Sequence, residues 1–161
     1  MALPGYLASW FVGLEEAEQV QPAGVDLRVA SIEAFDDTGI LGRCDRVVPR
    51  GRRLEPREGW WLLGPGAYRV RFLDEVRVPP GFLGLCFPRS SLLRMGAALH
   101  CAVWDPGYSG RGAALLVVHN PAGVKIERGA RVAQMVFLPL SLPAASLYRG
   151  AYFGEGLTSS D

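Results

Sequence analysis

The run Trp104-Asp105-Pro106-Gly107-Tyr108-Ser109-Gly110-Arg111-Gly112, continued by Ala113-Ala114-Leu115-Leu116-Val117-Val118-His119, places a strand-like apolar stretch directly behind a tight turn. Proline presets φ at one turn position and glycine tolerates positive φ at the next, so Asp-Pro-Gly punctuates the chain sharply. Reading outward from this run, the rhythm repeats. Apolar segments at 60–63, 68–73, 82–87, 97–104, 113–119 and 131–138 are separated by Gly- and Pro-bearing breaks. With 20 Gly and 12 Pro in 161 residues, long helices have little room, and the pattern predicts an all-β barrel or sandwich. Several segments lack polar alternation, which predicts strands covered on both faces, by a second sheet or another subunit. Only residues 4–21, with Leu3 just before them, carry helical spacing, in Leu3, Leu7, Trp10, Phe11 and Leu14, with Glu15, Glu16 and Glu18 as a wet face; one short amphipathic helix is expected there.

The length fits one domain, expected over 1–147, followed by a tail at 148–161 rich in Gly, Ser and Tyr that orders only against a ligand or neighbour. Hydrophobic residues make up 49% and charged residues 20%, a globular composition, and the net charge of +1 argues against partners held by long-range charge, such as nucleic acid or an anionic membrane. Any phosphate must be held by a local site. The arginines between Arg43 and Arg57 are interleaved with Asp45, Glu55 and Glu58, the pattern of a solvated loop. Cys44, Cys86 and Cys101 form no CxxC pair and read as reduced thiols; without a basic leader or an apolar run near 20 residues, a cytoplasmic location is expected.

Nucleotide-loop, zinc-protease and nucleophile-elbow motifs are missing from the chain. His100 and His119 lie in apolar runs without a second histidine at ligand spacing and read as structural. Pro88-Arg89-Ser90-Ser91-Leu92-Leu93-Arg94 offers guanidiniums and hydroxyls suited to phosphate oxygens, with Ser90 as a candidate N-cap; alone it could equally be a capped surface turn. Asp105 could cap its turn or serve as a base or water-binding group, with Tyr108 presenting a flat face to a ring. Val25-Asp26-Leu27-Arg28-Val29 alternates like a half-exposed strand, and Gln134 sits as a buried amide inside the apolar run 129–137 and needs a partner.

Taken together and in order, QPAGVDLRV (21–29), PRSSLLRMG (88–96), the run from Trp104 to Gly123, GARVAQMVF (129–137) and YRGAYFGEGLTSS (148–160) resemble the deoxyuridine triphosphatase and deoxycytidine triphosphate deaminase superfamily. The resemblance spans about residues 21–160 and includes Pro79 and Pro80 in the connector before the arginine-serine phrase. It implies a homotrimer of distorted β-barrel, jelly-roll-like β-clip subunits with interface active sites and a tail that closes over nucleotide. It also implies phosphate contacts from Arg89, Ser90, Ser91, Arg94 and Gln134, a water-orienting Asp105, and a sugar contact from Tyr108. Tyr148 and Tyr152 match tail tyrosines, uracil would be read by backbone near residues 100–103, and Asp26 could reach a Mg2+ ion through water. The deaminase branch carries a glutamate three residues before the asparagine that ends this strand; here, counting back from Asn120, that place is Val117, and no carboxylate occurs from Gly107 through Lys125. Valine cannot move a proton, so the resemblance favours hydrolysis of dUTP to dUMP and pyrophosphate in the archaeal, deaminase-like subgroup. A dCTP deaminase or bifunctional enzyme, and a non-catalytic nucleotide-binding regulator, are the alternatives. In the tail, Ala151 and Glu155 depart from the deaminases' lysine and glutamine.

Overall fold

Twelve residues from Gly24 to Phe35 form the longest strand of the computed structural model, which describes residues 1–158; Ser159, Ser160 and Asp161, the last residues of the expected tail, lie outside the described residues. In chain order the strands are β1 (Val20–Gln21), β2 (Gly24–Phe35), β3 (Ile40–Leu41), β4 (Arg46–Val47), β5 (Gly51–Arg53), β6 (Trp60–Leu63) and β7 (Gly66–Phe72). They continue with β8 (Val76–Arg77), β9 (Phe82–Pro88), β10 (Ala97–His100), β11 (Ser109–Gly110), β12 (Ala113–Val118), β13 (Val124–Glu127) and β14 (Arg131–Pro139). The main sheet runs β10-β12-β7-β2-β14-β9, all antiparallel. Strand β2 holds it together: residues 25–28 pair with β14, and residues 29–34 pair with β7, the partner changing across an irregularity between Val29 and Ser31.

The two ends of this sheet meet. Gly84 of β9 and Trp104, just beyond β10, exchange backbone hydrogen bonds of 2.8 and 3.0 Å, giving a nearly closed barrel. A Cβ on Gly84 would stand 3.1 Å from both Trp104 Cβ and Met135 Sδ, so a glycine is what lets the seam shut. Inside, Leu27, Ile32, Phe72, Leu116, Met135 and Phe137 are buried at 1% exposure or less.

The expectation of strands covered on both faces holds for β2, whose first six residues are all buried, but not for β9 and β12. Those two alternate, and their outer faces leave Phe87 (53%) and Leu115 (38%) open in the single chain. The expected helix over 4–21 is not continuous. It is one turn, α1 (Gly5–Ala8), then 3-10 turns at Ser9–Phe11 and Ala17–Gln19. Tertiary pairing overrides its helical spacing: Val12 is extended and bridges Val76, and Gly13 donates to Glu75 O at 2.8 Å. Phe11 thereby packs on Phe82 and Phe137, with ring centroids 5.7 and 5.3 Å away.

The arginine-bearing stretch 43–57 is largely exposed, as expected, although it contains β4 and β5; its Arg52 pairs with Asp36 at the surface. All three cysteines are free thiols. None of the described helices is long and apolar enough to cross a membrane.

Candidate active site

Strand β14 brings Gln134 opposite Asp26 on one side and Phe87 on the other, and Arg89 follows the end of β9 directly. The QPAGVDLRV, PRSSLLRMG and GARVAQMVF phrases therefore converge at one end of the sheet. Asp26 is only 1% exposed, and its Oδ2 lies 2.9 Å from Arg89 Nε and 3.6 Å from Arg131 Nη1. Burial pushes the Asp26 carboxyl above its ordinary value, and the Arg89 and Arg131 guanidiniums pull against that without cancelling it. Ser90 and Ser91 open a five-residue helix, α2 (Ser90–Arg94), and both are exposed. The N-cap position belongs to Arg89 and not to Ser90, and no side chain caps it. Arg94 is exposed and donates to Ser90 O at 3.3 Å. Gln134 is half-buried, not buried as expected, because the outer face of β14 is only partly covered in one chain.

A second cleft surrounds Asp105. The side chain is exposed, while its carbonyl accepts from Tyr108 N at 3.1 Å to close the turn. Ala102 and Val103 line this cleft, as do Tyr108, Tyr148, Tyr152 and Glu155. Tyr108 is 7% exposed, its ring edge-to-face with Trp104 at 4.9 Å and beside Tyr148 at 5.7 Å. Its hydroxyl accepts from Gly112 N at 3.1 Å. Burial and the nearby Glu155 carboxylate push its hydroxyl up to about 12. The flat face expected for a ring is thus largely covered in this conformation.

The described part of the tail packs on its own chain. Tyr148 N donates to Pro106 O at 2.8 Å, Gly154 N to Ser109 O at 2.8 Å, and Arg111 N to Glu155 O at 2.7 Å. Glu155 also pairs with Arg71 at 3.1 Å, and the Arg46 guanidinium lies over the Tyr152 ring. With the tail down, the cleft between Asp105 and the tail measures about 120 Å³, while a second hollow of about 460 Å³, lined by Leu83, Pro106, Leu140 and Tyr148, also reaches Asp105.

The arrangement holds the two groups apart. Trp104 pairs with Gly84, and Arg89 is five residues farther along β9, about 16 Å at ~3.3 Å per strand residue. The two clefts, one lined by Arg89, Ser91 and Arg131 and the other by Asp105 and Tyr108, share no residue.

Several side chains stand elsewhere than expected. His100 and His119 are exposed at strand ends, not satisfied inside strands. Arg28, expected half-exposed, is 4% exposed; Asp74 takes its Nε and Nη2 at 3.0 and 2.8 Å. Arg131 was missed by sequence reading; its one signal is its place two residues into GARVAQMVF, three before Gln134.

Asp26 does not fit a Mg2+ contact: two guanidiniums crowd its carboxylate, and their charge repels a second cation. Among the described residues, no three His, Cys, Asp or Glu side chains cluster to hold a metal. An ion that accompanies the triphosphate needs no such cluster.

The sequence model of the dCTP deaminase-like family matches residues 11–140. A probable deoxyuridine 5'-triphosphate nucleotidohydrolase of Aeropyrum pernix is 56% identical over 138 residues, 86% of this chain and 87% of that protein. The deoxyuridine 5'-triphosphate nucleotidohydrolase of Methanocaldococcus jannaschii is 38% identical over 151 residues, 91% of this chain and 94% of that one. Among solved structures, the 2'-deoxycytidine 5'-triphosphate deaminase of Agrobacterium tumefaciens superposes with a TM-score of 0.65 at 20% identity. That match covers 84% of this chain and about half (47%) of the deaminase chain. The EIAV dUTPase superposes with a TM-score of 0.53 at 16% identity, over 86% of this chain and 90% of that one. At these identities the superpositions establish the fold.

Proposed function

The chain belongs to the dCTP deaminase-like family, and from that membership we propose that it is a dUTP diphosphatase, converting dUTP and water to dUMP and pyrophosphate. The observation that carries the choice of branch is Val117. It lies in β12 opposite Ala98 and Ala67, so neither it nor its paired neighbours can exchange a proton with a pyrimidine ring. Deamination has no acid or base there, whereas Asp105 stands exposed at its turn, free to hold a water.

In this reading Asp105 orients the attacking water and accepts its proton as the α–β phosphoanhydride breaks. Arg89, Ser90, Ser91, Arg94 and Gln134 hold the phosphates and stabilise charge on the leaving pyrophosphate. Ala102 and Val103 offer backbone groups to uracil. Tyr108 walls the sugar side once the tail lifts, and Tyr148 and Tyr152 close again over the bound nucleotide. Mg2+ on the triphosphate supplies counter-charge; no protein step depends on its being held by Asp26.

A backbone separation of about 16 Å between the Asp105 turn and Arg89 favours a site to which the two residues come from different chains, because a water-directing base must reach within roughly 3 Å, or one water, of its proton. In this reading the complete site is assembled between chains, in a homotrimer whose contacts cover outward apolar residues such as Phe87 and Leu115. The test is a product assay. Purified protein should convert dUTP to dUMP and pyrophosphate while dCTP yields neither dUTP nor ammonia; ammonia above background from dCTP would contradict the branch assignment.

A further inference from the structure

Within the proposed phosphate site, on whose reading this inference rests, we infer that Asp26 is a positioning residue that aims two guanidiniums, Arg89 and Arg131, at the polyphosphate, and that Arg131 is itself a substrate-binding residue. The first support is the phase of β14. Ala133, Met135 and Phe137 are all fully buried, and strict alternation would send Arg131 into the same core. The pairing register instead slips between Arg131 and Ala133: Arg131 lies opposite Arg28, but Ala133 opposite Leu27. One extra residue, Val132, shifts the phase and brings Arg131 out on the face of Gln134, within ion-pair distance of Asp26.

A comparison on the same strand supplies the second support. Two residues along β2 from Asp26, Arg28 has its Nε and Nη2 on Asp74 and Nη1 on Glu15, and its side chain is 5% exposed. That is a closed structural pair with its donors spent. Around Asp26 the stoichiometry is reversed, one carboxylate to two guanidiniums. Arg89 and Arg131 keep 29% and 28% side-chain exposure. Arg89 Nη1 turns to Arg131 O, and Arg131 Nη1 to Glu18 O, but neither Nη2 is engaged by those bonds. Asp26 Oδ2 is buried within ion-pair distance of both arginines but accepts no hydrogen bond from either, so it holds them by charge and does not spend their hydrogen-bond donors. The excess positive charge faces a cleft of about 350 Å³, shared with the phosphate candidate Ser91. Two guanidinium forks held side by side suit adjacent phosphates of a polyphosphate.

The experiment uses the full chain with inorganic pyrophosphate as probe, by calorimetry in EDTA, alongside dUTP kinetics across a Mg2+ titration. Arg131→Gln should weaken pyrophosphate binding and raise KM for dUTP by about tenfold, the loss of one charge-assisted contact, with kcat changed far less. Arg131→Lys should fall between the two. Asp26→Asn should weaken pyrophosphate binding without metal and leave the Mg2+ concentration for half-maximal turnover unchanged. A Mg2+ requirement that shifts in Asp26→Asn while metal-free pyrophosphate binding stays normal would overturn the assignment in favour of a metal contact. Normal pyrophosphate affinity in Arg131→Gln, in an enzyme that turns over dUTP, would overturn the inference and leave the function standing. A wild-type protein that binds pyrophosphate through Arg131 but leaves dUTP intact would do the reverse.

Discussion

Asp26 and Asp105 are both aspartates in short polar interruptions of apolar sequence, and the fold gives them opposite settings. Asp26 is sealed beside two arginines, whereas Asp105 is exposed at a turn. Exposure makes Asp105 expendable for folding. Asp105→Asn should leave the thermal midpoint near wild type and lower dUTP turnover at least about a hundredfold with nucleotide still bound; near-normal turnover would reduce Asp105 to a turn residue. Tyr108 makes a pH prediction. Its folded-state value is raised from 10.0 to about 12, so the stability tied to its neutral hydroxyl is fully present below about pH 10 and is lost as pH rises through 12. Tyr108→Phe removes both that dependence and the bond from Gly112, worth about 1 kcal/mol. The variant should be less stable than wild type at pH 8, and the gap should narrow between pH 10 and 12 in denaturation curves. At this scale the sequence displayed residue types well and settings poorly. Val-Asp-Leu-Arg-Val reads as half-exposed alternation because the group that buries Arg28, Asp74, is 46 residues away.

Strand positions were legible where Gly and Pro bracket an apolar run, and 60–63 was predicted to the residue, but the run 97–104 is strand only to His100, and β13 lay outside the expected runs. Registers were not. The slips beside Ala30 and Val132 leave no compositional mark, yet they decide which side chains reach the phosphate end of the sheet. The N-terminal segment was misread because its helical spacing is genuine while its partner, the stretch around Glu75 and Val76, is remote in sequence. In the tail, the departure at Glu155 has a counterpart in the fold, the ion pair with Arg71. That partly buried pair is worth up to about 1 kcal/mol, so Glu155→Gln should speed limited proteolysis within the tail about fivefold without changing the oligomeric state. Unchanged cleavage would show that the Arg71–Glu155 pair adds nothing to the other contacts that hold the tail.

For the molecule as a whole, the five phrases that resemble a nucleotide site fall into two groups at opposite ends of β9. Sequence order alone did not reveal that division, because the separation is set by how β9, β10 and β14 meet around the barrel seam. The account's central claim is that one chain's Asp105 completes the site begun by another chain's Arg89. It is tested by unfolding inactive Arg89→Ala together with inactive Asp105→Asn, refolding the mixture, and measuring dUTP hydrolysis against each variant refolded alone. Mixed assemblies should regain activity, since some interfaces unite an intact Arg89 with an intact Asp105. A mixture that forms mixed assemblies and stays as inactive as its parents would contradict the shared site.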